Sequence, residues 1–215
     1  MTPVVAAKAA RPKPGPPRDY QFPHFERRTL SNGLELIVAP VTKLPIVTVA
    51  VLIDAGAVCD SPGLDGTALL TAKLLLEGTA SSDGAELTER FERLGATIDG
   101  EADWDGAGIT MTVLGEHLPA AFDLLAEVLR TPAFRPREVA RLKAERIAEL
   151  LQLRAEPRGL ADELFERFVY RDTSRYARPA GGDEKSVNAI ERENLIAFYD
   201  VRYLPAATSV IVAGD

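Results

Sequence analysis

Ile46-Val47-Thr48-Val49-Ala50-Val51-Leu52-Ile53-Asp54 is the stretch on which the fold turns. Its β-branched side chains are stiff at χ1 and suit a pleated surface. The near-continuous apolarity predicts a central strand covered on both faces. Pro40 and Pro45 precede it and mark its beginning. Upstream, Ser31-Asn32-Gly33 separates Arg27-Arg28-Thr29-Leu30 from Leu34-Glu35-Leu36-Ile37-Val38. Asn and Gly tolerate positive φ, so this pattern predicts a hairpin.

Downstream, the apolar spacing changes to that of helices. Leu64 to Glu77 carries Leu69, Leu70, Leu74, Leu75 and Leu76 and stops at Gly78. Asp83 and Glu86 have capping-box spacing ahead of a stripe of Leu87, Phe91 and Leu94, which Gly95 ends. Ala96 to Val113 reads as a strand pair with Gly106 and Gly108 near its turn. Leu118 to Leu129 is a predicted helix. Pro136 opens another as a first-turn proline, running to about Arg154. Pro157 interrupts, and a helix resumes over Gly159 to Tyr170. A loop over Asp172 to Asp183, a helix over Ala189 to Tyr199 and a strand over Thr208 to Ala213 complete the chain. This order predicts an α+β fold, a mostly antiparallel sheet with helices layered on it.

The 215 residues suffice for one sizeable core. No apolar run reaches the ~20 residues of a membrane-spanning helix. The net charge of -7 argues against general nucleic-acid binding. The charge is unevenly spread: Lys8, Arg11, Lys13, Arg18, Arg27 and Arg28 face only Asp19 and Glu26 in residues 1–28. Pro3, Pro12, Pro14, Pro16, Pro17 and Pro23 fall in the same region. Residues 1–24 are therefore expected to form a Pro-rich basic flexible tail, and residues 25–215 a single domain. The tail lacks the apolar core of a secretory signal. The compartment stays open between cytoplasm and, if translation starts elsewhere, periplasm.

Few residues offer chemistry. Catalytic zinc needs about three protein ligands on a rigid element. The only histidines, His24 and His117, lie far apart without a partner at helical spacing, and Cys59 is the only cysteine. Asp60 beside Cys59 discourages a thiolate. No Gly-x-Ser-x-Gly elbow is present, and Gly181-Gly182 lacks the Lys-Ser/Thr of a phosphate loop. Asp99, Glu101, Asp103 and Asp105 alternate, so an extended chain would place all four carboxylates on one face. A cation site, a solvent-facing strand and a dock for a basic partner all fit that pattern. The calcium-loop template does not, because Thr112 stands where a bidentate Glu belongs.

A series of short matches in fixed order resembles the N-terminal domain of the insulinase/pitrilysin zinc metallopeptidases. That family includes mitochondrial processing peptidase and the core subunits of the cytochrome bc1 complex. The resembling segments are Leu30-Ser31-Asn32-Gly33-Leu34, Pro45-Ile46-Val47 to Gly56, Gly63-Leu64 to Gly78-Thr79, and Leu94-Gly95-Ala96. They continue with the long helix ending near Pro157, then Tyr176 to Asp183, Ala197-Phe198-Tyr199, Tyr203-Leu204-Pro205 and Val212 to Asp215. The resemblance implies an insulinase-type domain that is half of a usual two-domain subunit.

The family's chemistry lies in a His-x-x-Glu-His helix, with a Glu on a later helix as third zinc ligand. Counting back from Gly78-Thr79, the histidine positions fall on Leu69 and Lys73 and the base position on Ala72. The resemblance implies Glu149 as the remnant third-ligand position; read by itself it is a surface helix residue. The resemblance therefore implies a zinc-lacking, non-catalytic domain with no cofactor of its own, inactive alone. Its implied partners are a zinc-bearing homologous subunit, a second domain of the same family and a peptide substrate. The implied peptide-binding edge strand comprises Ile98, Asp99, Gly100, Glu101 and Asp103, with a bias towards basic peptides. Two alternatives stand beside this: a contribution to zinc-dependent hydrolysis within a heteromer, and a purely structural role like that of bc1 core proteins.

Overall fold

The computed structural model describes residues 14–17 and 19–215, without the side chain of residue 163. Residues 1–13 and 18, the greater part of the expected tail, lie outside the described residues; residues 19–25 are exposed and carry neither helix nor strand. The strands are β1 (Glu26–Thr29), β2 (Glu35–Pro40), β3 (Ile46–Ile53), β4 (Thr97–Ala102), β5 (Ala107–Leu114) and β6 (Thr208–Gly214). They form one six-stranded sheet in the order β1-β2-β6-β3-β5-β4. All neighbours are antiparallel except β2 and β6. The Asn32-Gly33 hairpin forms as expected, with Gly33 at a φ of 87°.

The helices are α1 (Thr67–Leu74), α2 (Gly84–Arg93), α3 (Leu118–Arg130), α4 (Pro136–Ala155), α5 (Pro157–Val169), α6 (Glu184–Ala189) and α7 (Arg192–Arg202). They cover one face of the sheet. Strand β3 shows this directly: Val47, Val49, Val51 and Ile53 are buried, while Ile46 and Leu52 on the other face are exposed. The expectation of a strand covered on both faces is corrected here. With the described helices on one side only, the other face of β3 ranges from the half-buried Thr48 and Ala50 to the exposed Ile46 and Leu52.

Two helix boundaries also differ from expectation. Helix α1 starts at Thr67 rather than Leu64, because Gly66 adopts a φ of 103° that L side chains rarely take. The predicted 172–183 loop ends in a capping box, in which Asp183 accepts from the Ser186 amide and Ser186 returns a bond to the Asp183 backbone. That box starts the short helix α6, so the single predicted helix over Ala189 to Tyr199 becomes α6 followed by α7. The Asp83 capping box of α2 and the first-turn Pro136 of α4 stand where the spacing places them.

The core lies between sheet and helices. Leu70, Leu74, Leu75, Leu87, Phe91, Ile109, Met111, Ile190 and Leu195 are almost fully buried in it. Burying such side chains contributes about 1.5–3 kcal/mol each. Helix α5 differs: Phe165, Phe168 and Val169 are exposed, Phe168 by 87%.

Candidate functional site

Helix α1 is held from its first turn. The buried carboxylate of Asp60 accepts from the Gly66 amide at 2.8 Å and the Ala68 amide at 2.9 Å. These are donors that a helix start leaves without intrahelical partners. Arg175, in the loop before α6, lies 3.1 Å from Asp60 and 3.1 Å from Asp65, and Arg178 reaches Asp65 at 3.2 Å. Burial pushes the Asp60 carboxyl above its usual range, opposed by the two amides and Arg175. The loop is thus clamped onto the entry of α1 by an ion-pair network that is buried at Asp60 and Arg175 and reaches solvent at Arg178.

Along α1, Leu69 and Lys73 sit four residues apart on one half-exposed face, and Ala72 is buried beside them. Lys73 Nζ lies 3.6 Å from Glu149 Oε1 on α4. Arg146, one turn earlier on α4, donates to the other Glu149 oxygen at 3.0 Å and to the Gly181 carbonyl at 3.0 Å. Of the positions singled out from the sequence on α1, Lys73 is thus brought against Glu149 of α4.

Strand β4 runs directly against α1. A Cβ built on Gly100 would lie 3.0 Å from the Ala72 carbonyl oxygen and 3.4 Å from Leu76 Cδ1. Only the absence of a side chain permits this approach. The other long side of β4 is a sheet edge, since among the described residues β4 pairs with β5 alone. A recess flanks each face of the strand. One, of about 380 Å³, is lined by Leu76, Leu87, Phe91, Ala96 and Ile98 among others. The other, of about 510 Å³, opens on the uncovered sheet face and includes Leu52, Asp54, Glu101, Asp103 and Asp105.

Within β4, Ile98 and Gly100 face the helices, while Asp99 and Glu101 are exposed on the opposite face. Asp103 lies beyond the strand, which ends at Ala102. Its Oδ1 accepts from the amides of Asp105 and Gly106, so it closes the β4–β5 turn. The expectation that Asp103 belongs to the edge strand is corrected on that ground. Asp105 accepts a hydrogen bond from the Tyr176 hydroxyl, and Trp104 Nε1 donates to the Arg178 carbonyl at 3.0 Å. These bonds dock the turn on the loop that also clamps α1.

The donor set on α1 and α4 does not fit a zinc ion. Leucine and alanine have no lone pair to give, and lysine brings a positive charge. Among the described residues, no cluster of three or more His, Cys, Asp or Glu could hold a metal. His24 lines a recess with Glu26 and Leu36 at the opposite sheet edge, and His117 sits in the turn before α3. Burial pushes the Cys59 thiol up, with Asp54 and Asp60 adding to it against the pull of Arg202. Asp60, Arg146 and Arg175 were not legible as site-forming residues from sequence. Their partners lie up to 115 positions away, and no spacing signal encodes such pairs.

Comparison with known proteins places this geometry. The model of the family "Insulinase (Peptidase family M16)" matches residues 37–180. The chain is similar to the "Probable mitochondrial-processing peptidase subunit beta" of Arabidopsis thaliana, at 26% identity over 89% of this chain and 36% of that protein. It is also similar to bovine cytochrome b-c1 complex subunit 1, at 24% identity over 89% of this chain and 40% of that protein. A crystal structure described as a peptidase M16 inactive domain from Pseudomonas fluorescens superposes with a TM-score of 0.84 at 27% identity. That match covers 89% of this chain and 47% of the other. The chain thus spans less than half the length of these relatives.

Proposed function

The chain belongs to the insulinase family of peptidases, M16, and we propose that it is a non-catalytic domain of that family. In this reading it binds extended peptide along β4 and assembles with a zinc-bearing partner subunit. Leu69, Ala72 and Lys73 hold the motif positions, and Glu149 holds the third-ligand position.

The observation that carries the reading is the edge strand beside α1. β4 leaves one row of backbone donors and acceptors unpaired by the sheet, next to the helix of the substituted motif. A peptide added as a further strand gains affinity from main-chain hydrogen bonds, and alternate side chains find the recess on each face. The recess on the helix side combines Leu76, Leu87, Phe91 and Ile98 with the carboxylates of Glu77 and Glu92, and the other contains Asp54, Glu101, Asp103 and Asp105. Carboxylates on both sides of the strand favour basic residues in the bound peptide. Hydrolysis is assigned to a partner that carries His-x-x-Glu-His.

Titration calorimetry of the chain with Lys/Arg-rich peptides, against acidic peptides of equal length, tests the binding half. Binding confined to the basic series supports it, and equal heats from both series overturn it. Co-purification with a His-x-x-Glu-His chain of the same family, followed by a peptidase assay, tests assembly. Stimulated turnover supports a contribution to the partner's hydrolysis. A stable complex with unchanged turnover favours the purely structural reading. Stoichiometric zinc on the purified chain that is lost on Glu149→Ala would overturn the non-catalytic reading.

A further inference from the structure

We infer that Lys73 is a built-in cation that takes the place of a metal ion against Glu149, a step that rests on the proposed assignment of the motif positions. Glu149 projects from α4 towards the face of α1 that carries Leu69 and Lys73, and its carboxylate lies 3.6 Å from Lys73 Nζ. A histidine pair at Leu69 and Lys73 would present two nitrogens on that same helical face, since residues four apart are neighbours there. The lysine ammonium therefore reaches the carboxylate from one of the two places where a metal-binding nitrogen would stand.

The charge arrangement goes further than the loss of ligands. Glu149 accepts from Arg146 at 3.0 Å, and Arg146 is itself anchored to the Gly181 carbonyl. The carboxylate thus has a cation on each side. A divalent ion arriving there would meet two positive groups before it met a second ligand. The chain excludes metal by charge as well as by ligand count. The helix pair stays joined where metal coordination would otherwise join it.

The inference gives two measurements that fail separately. The first is a double-mutant cycle of Lys73→Met and Glu149→Gln on the full chain, read by denaturant unfolding at low and high salt. Both side chains are partly exposed, so neither substitution threatens folding. The expected coupling is roughly two- to fivefold in the unfolding constant at low salt, fading at high salt. The second is zinc content and the Co(II) visible spectrum of the chain with Leu69→His and Lys73→His. One metal per chain is expected, and adding Glu149→Gln to that variant should lower metal affinity at least tenfold. Coupling together with Glu149-dependent metal binding supports the inference.

Metal binding without coupling overturns the inference and leaves the motif assignment standing. Coupling in a folded double-histidine chain that binds no metal overturns both. If the double-histidine chain does not fold, the cycle decides alone, and coupling within error rejects the inference.

Discussion

Arg175 Nη2 lies 3.1 Å from Asp60 Oδ2, and this ion pair, nearly excluded from water, fastens the loop before α6 to the first turn of α1. Removing one partner of such a pair leaves the other as an uncompensated buried charge. Arg175→Met is expected to cost about 3–5 kcal/mol, whereas Arg175→Met with Asp60→Asn should cost less than the two single changes together. Urea denaturation of the three variants checks this. Additive costs would show that the pair does not act as a unit.

Glu127 on α3 accepts from Arg90, Ser81 and Thr79, and these bonds hold its carboxyl down at about 2. A depressed folded-state value means that the unfolded chain binds the proton more readily. The stabilisation is therefore fully present above the ordinary carboxyl range near 4.5 and is lost as the pH falls towards 2. Glu127→Gln should lower stability at pH 7, and the gap to the unaltered chain should close between about pH 5 and pH 2. A pH series of thermal melts reads the gap, and a gap independent of pH would contradict the assignment.

Gly100 is set against the Ala72 carbonyl, so even one methyl group must displace strand or helix. Gly100→Ala is expected to cost about 1–3 kcal/mol, and Gly100→Val more. Hydrogen exchange should localise the loosening to β4 and α1. Gly56 makes a far tighter approach: a Cβ there would lie 2.4 Å from backbone atoms of Trp104, Asp105 and Gly106, so the backbone must shift. Gly56→Ala should loosen the β4–β5 turn, detectable as faster exchange at Asp105 and Gly106.

Asp99 and Glu101 are exposed on the uncovered face of β4. Asp99→Asn combined with Glu101→Gln should leave stability within about 0.5 kcal/mol. The same change should weaken binding of a Lys/Arg-rich peptide about fivefold at low salt, and less at high salt, because exposed charges are screened. Fluorescence anisotropy at two ionic strengths separates this from a backbone-only mode, in which neither the substitutions nor salt would matter.

Phe165 and Phe168 on α5 are 65% and 87% exposed. An exposed apolar stripe of this kind favours association. Phe165→Ser with Phe168→Ser should leave unfolding nearly unchanged while reducing self-association in sedimentation velocity runs. Unchanged sedimentation would show that the α5 stripe is not the contact.

Much of the scaffold could be read from local signals. The Asn32-Gly33 hairpin, the Asp83–Glu86 box and the first-turn Pro136 all depend on neighbours within a few positions, and all stand in the structure; the helix predicted to run to Gly78 ends instead at Leu74. The errors came where tertiary context overrides local pattern. Apolarity on both sides of β3 suggested two covering layers, but the helices pack on one. The alternating carboxylates suggested one face through Asp105, but the Asp103 side chain captures two amides and bends the chain.

The proposed motif positions, Leu69, Ala72 and Lys73, could be picked out because their spacing is local, within two turns of one helix. The amino-acid sequence by itself determined which side chains stand at those positions, and so that they offer no metal ligand. Only the tertiary structure decided what meets them. The 3.6 Å approach of Lys73 to Glu149, the second cation from Arg146 and the closeness of Gly100 to Ala72 join residues separated by 76, 3 and 28 positions. The two longer separations are closed by the packing of α1 between α4 and β4. Burial of apolar area drives that packing, and it is non-directional, so no short sequence pattern records which pairs it brings together.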